Sequence, residues 1–214
     1  MPLVLEQAEE RDIPRLLDIM YAAFHDDAWN RIMFPTIPPS NGRTASINRY
    51  RHEISNNPNV SIVKVVDTDQ DGEIIAFARW NIYRTERPES EWKDATSRDW
   101  DEGTNVDAAN EFFNGIREKR QNLMAGKPHF CLNMLATDPE HQRRGAGRML
   151  LQWGTDLADR PVSLPCYLEA SDKGRPLYQS QGFVDTETLD MDMSKWGGKG
   201  IDHHYVMIRP ARLT

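Results

Sequence analysis

The amino-acid sequence predicts an α/β protein, an α+β sandwich in which one mixed sheet is covered by helices. Two observations predict it. The apolar pattern switches repeatedly between short β-branched or continuous runs and stretches with apolar residues at helical spacing. In addition, the nearly continuous apolar run 129–137, broken by Asn133, passes through a glycine-containing loop into an amphipathic segment, as when a strand buried on both faces feeds a helix.

The elements follow in order. Residues 3–8 form a short apolar first strand. Asp12 stands as an N-cap with Pro14 in the first turn, and Ile13, Leu16, Leu17, Met20 and Phe24 recur at helical spacing, so 12–24 is a helix. Residues 25–41 hold Pro35, Pro38 and Pro39 and read as a loop, and 43–55 is a helix ending before Pro58. The β-branched run 60–66 and the segment 74–83 make a hairpin about the polar turn 67–72, with Ile74, Ala76, Ala78, Trp80 and Ile82 on one face. The polar stretch 84–127 is an insertion folding over the body of a single domain, 1–214. It holds a helix near 105–124 with Ala109, Phe112, Phe113, Ile116 and Leu123 on one side. Its acidic part, 86–102, reads as a solvated face or mobile loop. After the strand 129–137 come a helix at 144–158 with Met149, Leu150, Trp153 and Leu157 on one stripe, a strand at 166–170, and a helix at 173–181 stopped by Gly182. Strands at 183–189 and 204–208, with a flexible turn at 196–200 between them, complete the order β-α-α-β-β-(insertion)-β-α-β-α-β-β.

Composition narrows the class. Hydrophobic residues at 39% suffice for a buried core, and the net charge of −7 is the reverse of the balance a dedicated nucleic-acid binder shows. No run nears the ~20 apolar residues of a membrane span, and Met1 to Glu6 lack the basic start and apolar core of a signal peptide. Cys131 and Cys166 have no CxxC spacing and form no metal-ligand pattern with His129, His141, His203 and His204. A cytoplasmic protein follows, with the nucleus left open, that takes neither nucleic acid nor membrane as partner and holds no metal.

The strongest local signal is the loop Gln142-Arg143-Arg144-Gly145-Ala146-Gly147-Arg148 between strand and helix. Its glycines let backbone approach a ligand, and the helix start behind it presents unpaired N–H groups and a positive dipole end. This is either an anion cradle for a phosphate or pyrophosphate or a solvated basic helix start. A dinucleotide fingerprint lacks its third glycine here, since Leu150 stands at that position, and a Walker loop is absent.

Gln142 to Gly147 matches the Q/R-x-x-G-x-G/A signature of the GNAT superfamily of N-acetyltransferases, which this chain resembles. Leu132 to Pro139 looks like that family's fourth strand. Leu168-Glu169-Ala170-Ser171, followed by Leu177-Tyr178-Gln179-Ser180-Gln181-Gly182-Phe183, resembles its fifth strand, fourth helix and Y-x-x-x-G-F ending. The order of elements agrees over 3–209, and the wording around Glu169 most resembles fungal members.

The resemblance implies a mostly antiparallel seven-stranded sheet, helices on both faces, and parallel strands four and five that splay apart around the pantetheine arm of acetyl-CoA, the co-substrate. It places backbone groups of Leu135, Ala136 and Thr137 against that arm and the thioester, and assigns the pyrophosphate to the cradle of Gln142, Arg143, Arg144, Gly145, Ala146, Gly147 and Arg148, chiefly through amides. Tyr178 matches the general acid that protonates the departing thiolate. Ser171 stands where many relatives carry a CoA-contacting asparagine. The base is open among Glu169, His129 and Asp138. Phe34 in the 25–40 loop and Glu169 are acceptor-side candidates, and Trp29, Trp80 and Tyr83 either give that side an apolar character or fill the core. The activity implied is acetyl transfer to an amine of a small-molecule acceptor by direct attack in a ternary complex, and a homodimer is common among similar proteins. Two other classes stay open: a CoA-binding regulatory module without turnover, and a nucleotide-dependent oxidoreductase.

Overall fold

A computed structural model describes residues 3–93, 98–161 and 163–212. Residues 94–97, within the 84–127 segment, lie outside the described residues, as do Val162 and both ends of the 1–214 span. The strands are β1 (Leu3–Gln7), β2 (Val60–Asp67), β3 (Glu73–Tyr83), β4 (His129–Thr137), β5 (Cys166–Ala170), β6 (Val184–Asp192) and β7 (Ile201–Arg209). The helices are α1 (Ile13–Phe24), α2 (Ala28–Met33), α3 (Thr44–Asn56), α4 (Val106–Met124), α5 (Ala146–Ala158) and α6 (Arg175–Gln179). All seven strands join one sheet in the order β1-β2-β3-β4-β5-β7-β6. Only β4 and β5 run parallel; every other neighbouring pair is antiparallel.

Helices cover both faces. The ridge Ala146, Leu150, Leu151 and Ala158 of α5 packs on Val63, Val65, Ile75 and Trp80, with Tyr178 and Leu177 of α6 in the same core. On the opposite face Leu16, Leu17 and Ile19 of α1 and Tyr50 of α3 bury Ile62, Phe77 and Ala136. Helix α4 closes the rest of that face, its C-terminal Met124 against Cys131, Tyr167 and Val206, and its Phe112 against Trp29, Met33 and Met191.

Several sequence expectations need correction. Asp12 does not cap α1 through its side chain; its buried carboxylate accepts from Lys64 Nζ at 2.7 Å and from the Glu9 N–H at 2.8 Å. The proline-rich 25–41 segment contains α2, capped by Asp27, whose carboxylate accepts from the Asn30 N–H at 2.8 Å. Burial of Trp29 and Met33 against α4 stabilises this single turn and a half where propensity does not. The face expected along β3 is broken: pairing jumps from Val65↔Ala76 to Val66↔Ile74, so Ile75 is the bulged residue. Ile74 therefore turns to the α1 side while Ile75 joins the α5 core.

Candidate active site

A second bulge builds the site. Across the β3–β4 ladder Arg79 faces Met134 and Trp80 faces Leu132, which leaves Asn133 extra. On its other side β4 pairs with β5 only through Phe130↔Cys166, Cys131↔Tyr167 and Leu132↔Leu168. Beyond Leu132 the two strands part, although β4 keeps its ladder to β3 as far as Thr137. The backbone groups of 133–137 that turn toward β5 consequently have no strand to bond, and they line an open cleft. Leu135, Ala136 and Thr137 all lie on its wall. The cleft, 2430 Å³ in volume, runs from the start of α5 past the splay to the α1–α3–α4 side of the sheet.

The 142–148 segment forms one mouth. Arg143 and Gly145 adopt φ +63° and +93°, and no side chain caps the α5 N-terminus. Gln142, Arg143, Gly145, Ala146, Gly147 and Arg148 line the cleft. A Cβ placed on Gly147 would stand 3.4 Å from Leu177 and 3.5 Å from Leu135, so this glycine holds the helix start against both the splayed strand and α6. Arg144 behaves differently. Its guanidinium reaches Asp67 at 2.6 Å and His141 at 2.8 Å, anchoring the loop to the end of β2. The hydrogen bond from Arg144 holds the fully buried Asp67 carboxyl below the usual carboxylate range.

Tyr178 is 8% exposed at the cleft wall. Burial pushes its hydroxyl up to about 12, so it stays a proton donor through the neutral range. Its ring meets Phe183 edge-on at 6.1 Å, and a Cβ on Gly174 would lie 2.9 Å from Tyr178 Cε2, so the glycine makes room for the ring. Ser171 also lines the cleft; its Oγ accepts from the Gly174 N–H at 3.3 Å, fixing the turn into α6.

The base candidates separate by position. His129 is buried at the start of β4, eight residues before the strand's splayed end, and its Nδ1–H donates to the Lys127 carbonyl at 2.7 Å. Asp138 accepts from Arg15 at 2.8 Å and stands outside the cleft. Glu169 does line it, with a side chain 6% exposed that accepts two bonds from Arg120 of α4, at 2.9 and 3.1 Å. Arg120 also donates to Asn133 Oδ1 at 2.9 Å, so one guanidinium ties α4 to both sides of the splay.

The sequence reading missed several cleft residues. His204 donates through Nε2–H to Asp202 at 2.9 Å, which leaves Nδ1 as its acceptor nitrogen, and its ring packs on Phe112. The signal was the spacing Asp202-x-His204, which puts both side chains on one face of a strand. The 86–102 stretch is not wholly solvated: Asp101 is buried and accepts from Ser46 and Tyr21. Of the aromatic candidates, Phe34 and Trp29 line the cleft. Trp80 is core, and Tyr83 packs on His129 outside the cleft. Among the described residues no three His, Cys, Asp or Glu side chains gather as metal ligands would, and no helix is long and apolar enough to cross a membrane.

Residues 107–185, from α4 through β4, α5, β5 and α6, match the acetyltransferase (GNAT) domain family. Solved structures similar to it include arylalkylamine N-acetyltransferase 2 from Aedes aegypti, at 13% identity and TM-score 0.69, covering 99% of this chain and 100% of the other. A histone acetyltransferase HPA2 and related acetyltransferase from Corynebacterium glutamicum aligns at 21% identity and TM-score 0.62, covering 100% and 99%. A phosphinothricin acetyltransferase from Sinorhizobium meliloti, solved with AcCoA, aligns at 14% and 0.58, covering 99% and 89%. At identities this low the likeness is one of fold. No curated protein sequence matches the chain. The GNAT match takes in the splay and the helix start but not the α1–α3 side of the cleft.

Proposed function

We propose that this GNAT domain is an acetyl-CoA-dependent N-acetyltransferase that acts on an amine of a small-molecule acceptor by direct attack in a ternary complex. The observation that carries the reading is the splay of β4 and β5 opening beside an uncapped α5 N-terminus, with a protonated, buried tyrosine on the same wall. The amides of 143–148 suit a pyrophosphate and the bare backbone groups of 133–137 suit an amide-bearing arm ending in a thioester. N–H groups there also stabilise negative charge developing on the thioester oxygen. The amine nitrogen bonds to the carbonyl carbon and the carbon–sulfur bond breaks. Tyr178 donates its proton to the leaving sulfur, whose thiol has an ordinary pKa of ~8.5. Because Glu169 is held by Arg120, the group suited to take the amine proton is His204 Nδ1, with Asp202 balancing the imidazolium that forms.

Thiol release from acetyl-CoA in the presence of an amine panel tests this. Tyr178→Phe and His204→Gln should each lower kcat by about a hundredfold or more while acetyl-CoA binding is retained. A variant Tyr178→Phe that binds acetyl-CoA and turns over like the wild type would sink the assignment. A CoA-binding module without turnover instead predicts binding and no amine-dependent thiol release from the wild type.

A further inference from the structure

The cleft continues through the sheet into a region the transfer chemistry does not use. Arg79 faces Met134 across the β3–β4 ladder, next to the Asn133 bulge, and projects to the α1–α3 side. Its guanidinium pairs with Glu53 of α3 at 2.8 Å. One turn earlier on α3, Arg49 donates to Ser46 Oγ at 3.0 Å, and Ser46 in turn bonds Asp101. Arg98, from the connection before α4, stacks over Trp100 at 4.8 Å and Phe113 at 4.2 Å. All three arginines line the cleft, and Asp99 and Glu102 stand exposed at its rim. Among the described residues Arg98 forms no ion pair with a carboxylate and feels Glu53 only at longer range, and the Nε of Arg79 and of Arg98 are buried without a hydrogen bond.

Three guanidinium groups therefore meet two buried carboxylates, Glu53 and Asp101, in an otherwise acidic protein. Burial, reinforced by the charges of Arg49 and Arg79, pushes Arg98 down to about 9. An uncompensated cation in a low-dielectric cleft is costly unless an anion joins it. Guanidinium forks match carboxylate and phosphate oxygens in bidentate fashion.

We infer that this cluster is the acceptor's anion subsite: the amine acetylated at the splay carries a carboxylate or phosphate, held by Arg98 with Arg49 and Arg79. This deepens the acetyltransferase reading and rests on it. Arg79 stands in register with Met134 of the splayed strand, and on this inference the anion and the reacting amine belong to one small molecule such as an amino acid. Trp100 and Phe113 keep the Arg98 fork flat and add an apolar wall beside it.

The test is a panel of free amino acids and O-phosphoethanolamine, set against the corresponding amino-acid amides and ethanolamine, scored by kcat/KM for thiol release. Wild type should favour anionic members, and their advantage over neutral partners should fall by about tenfold or more in Arg98→Gln and recover in part in Arg98→Lys. Whether carboxylates or phosphates lead the ranking identifies the source of the anion. A wild type that prefers neutral or polycationic amines overturns the subsite, as does an unchanged preference in Arg98→Gln. If no amine is turned over, the acetyltransferase reading fails separately. The subsite is then judged by melting curves: stabilisation by anionic members in wild type, absent in Arg98→Gln, supports it, and no stabilisation overturns it.

Discussion

His129 shows how burial dominates a residue's behaviour. It is fully buried, its Nδ1–H is committed to the Lys127 carbonyl, and burial pushes its pKa from 6.5 down to about 4. A base whose folded pKa is depressed contributes stability above its unfolded value and loses it as pH falls through the folded one. The protein should therefore lose about 3 kcal/mol between pH 6.5 and 4 through this residue. Denaturant titrations at stepped pH check this: His129→Asn should flatten that part of the profile, and an unchanged slope would contradict the account. Asp67 is its counterpart, a buried carboxylate whose partner Arg144 leaves the cleft to reach it. The sequence reading placed Arg144 in the cradle with its neighbours. Spacing assigns a loop to a site but does not say which way each side chain turns.

At the scale of elements, the two bulges decide the architecture. Ile75 swaps the facing of β3's first residues, and Asn133 lets β4 stay bonded to β3 while leaving β5. Ile75 is hidden because it lies within an apolar run, whereas Asn133 interrupts the apolar run 129–137 but marks a bulge only once the strand pairing is known. Strands β4 and β5, in contrast, were legible to the residue, since burial on both faces leaves nearly continuous apolar stretches. Helix α2 was not, because its six residues are held by contacts of Trp29 and Met33 with a helix some eighty positions away. Helix α5 lies close against β3: a Cβ on Gly154 would stand 2.2 Å from the fully buried Trp80 ring. Gly154→Ala should thus destabilise by about 1–3 kcal/mol, despite alanine's better helix propensity. A melting temperature equal to or above wild type would show that α5 is not seated as described.

The whole molecule is a sheet pierced by one cleft whose two halves differ in how they are written in the sequence. The half made by β4, α5 and α6 is contiguous from 129 to 183, so order and spacing expose it. The other half draws Tyr21, Glu53, Arg79, Arg98 and His204 from five separate segments, each polar residue resembling an ordinary surface residue until the fold gathers them. Net charge gave no hint of it, since the overall balance of −7 coexists with a local excess of arginine. The contiguous half is probed by calorimetric titration with acetyl-CoA, beside NADH as control, on wild type and Gly147→Trp. Gly147 has room for little more than a methyl group between Leu177 and Leu135, so tryptophan should fill the mouth of the cradle. Wild type should bind acetyl-CoA in the micromolar range and not bind NADH, and Gly147→Trp should lose at least about a hundredfold in acetyl-CoA affinity. A folded wild type that binds NADH and not acetyl-CoA, or a Gly147→Trp variant that binds acetyl-CoA undiminished, would contradict this.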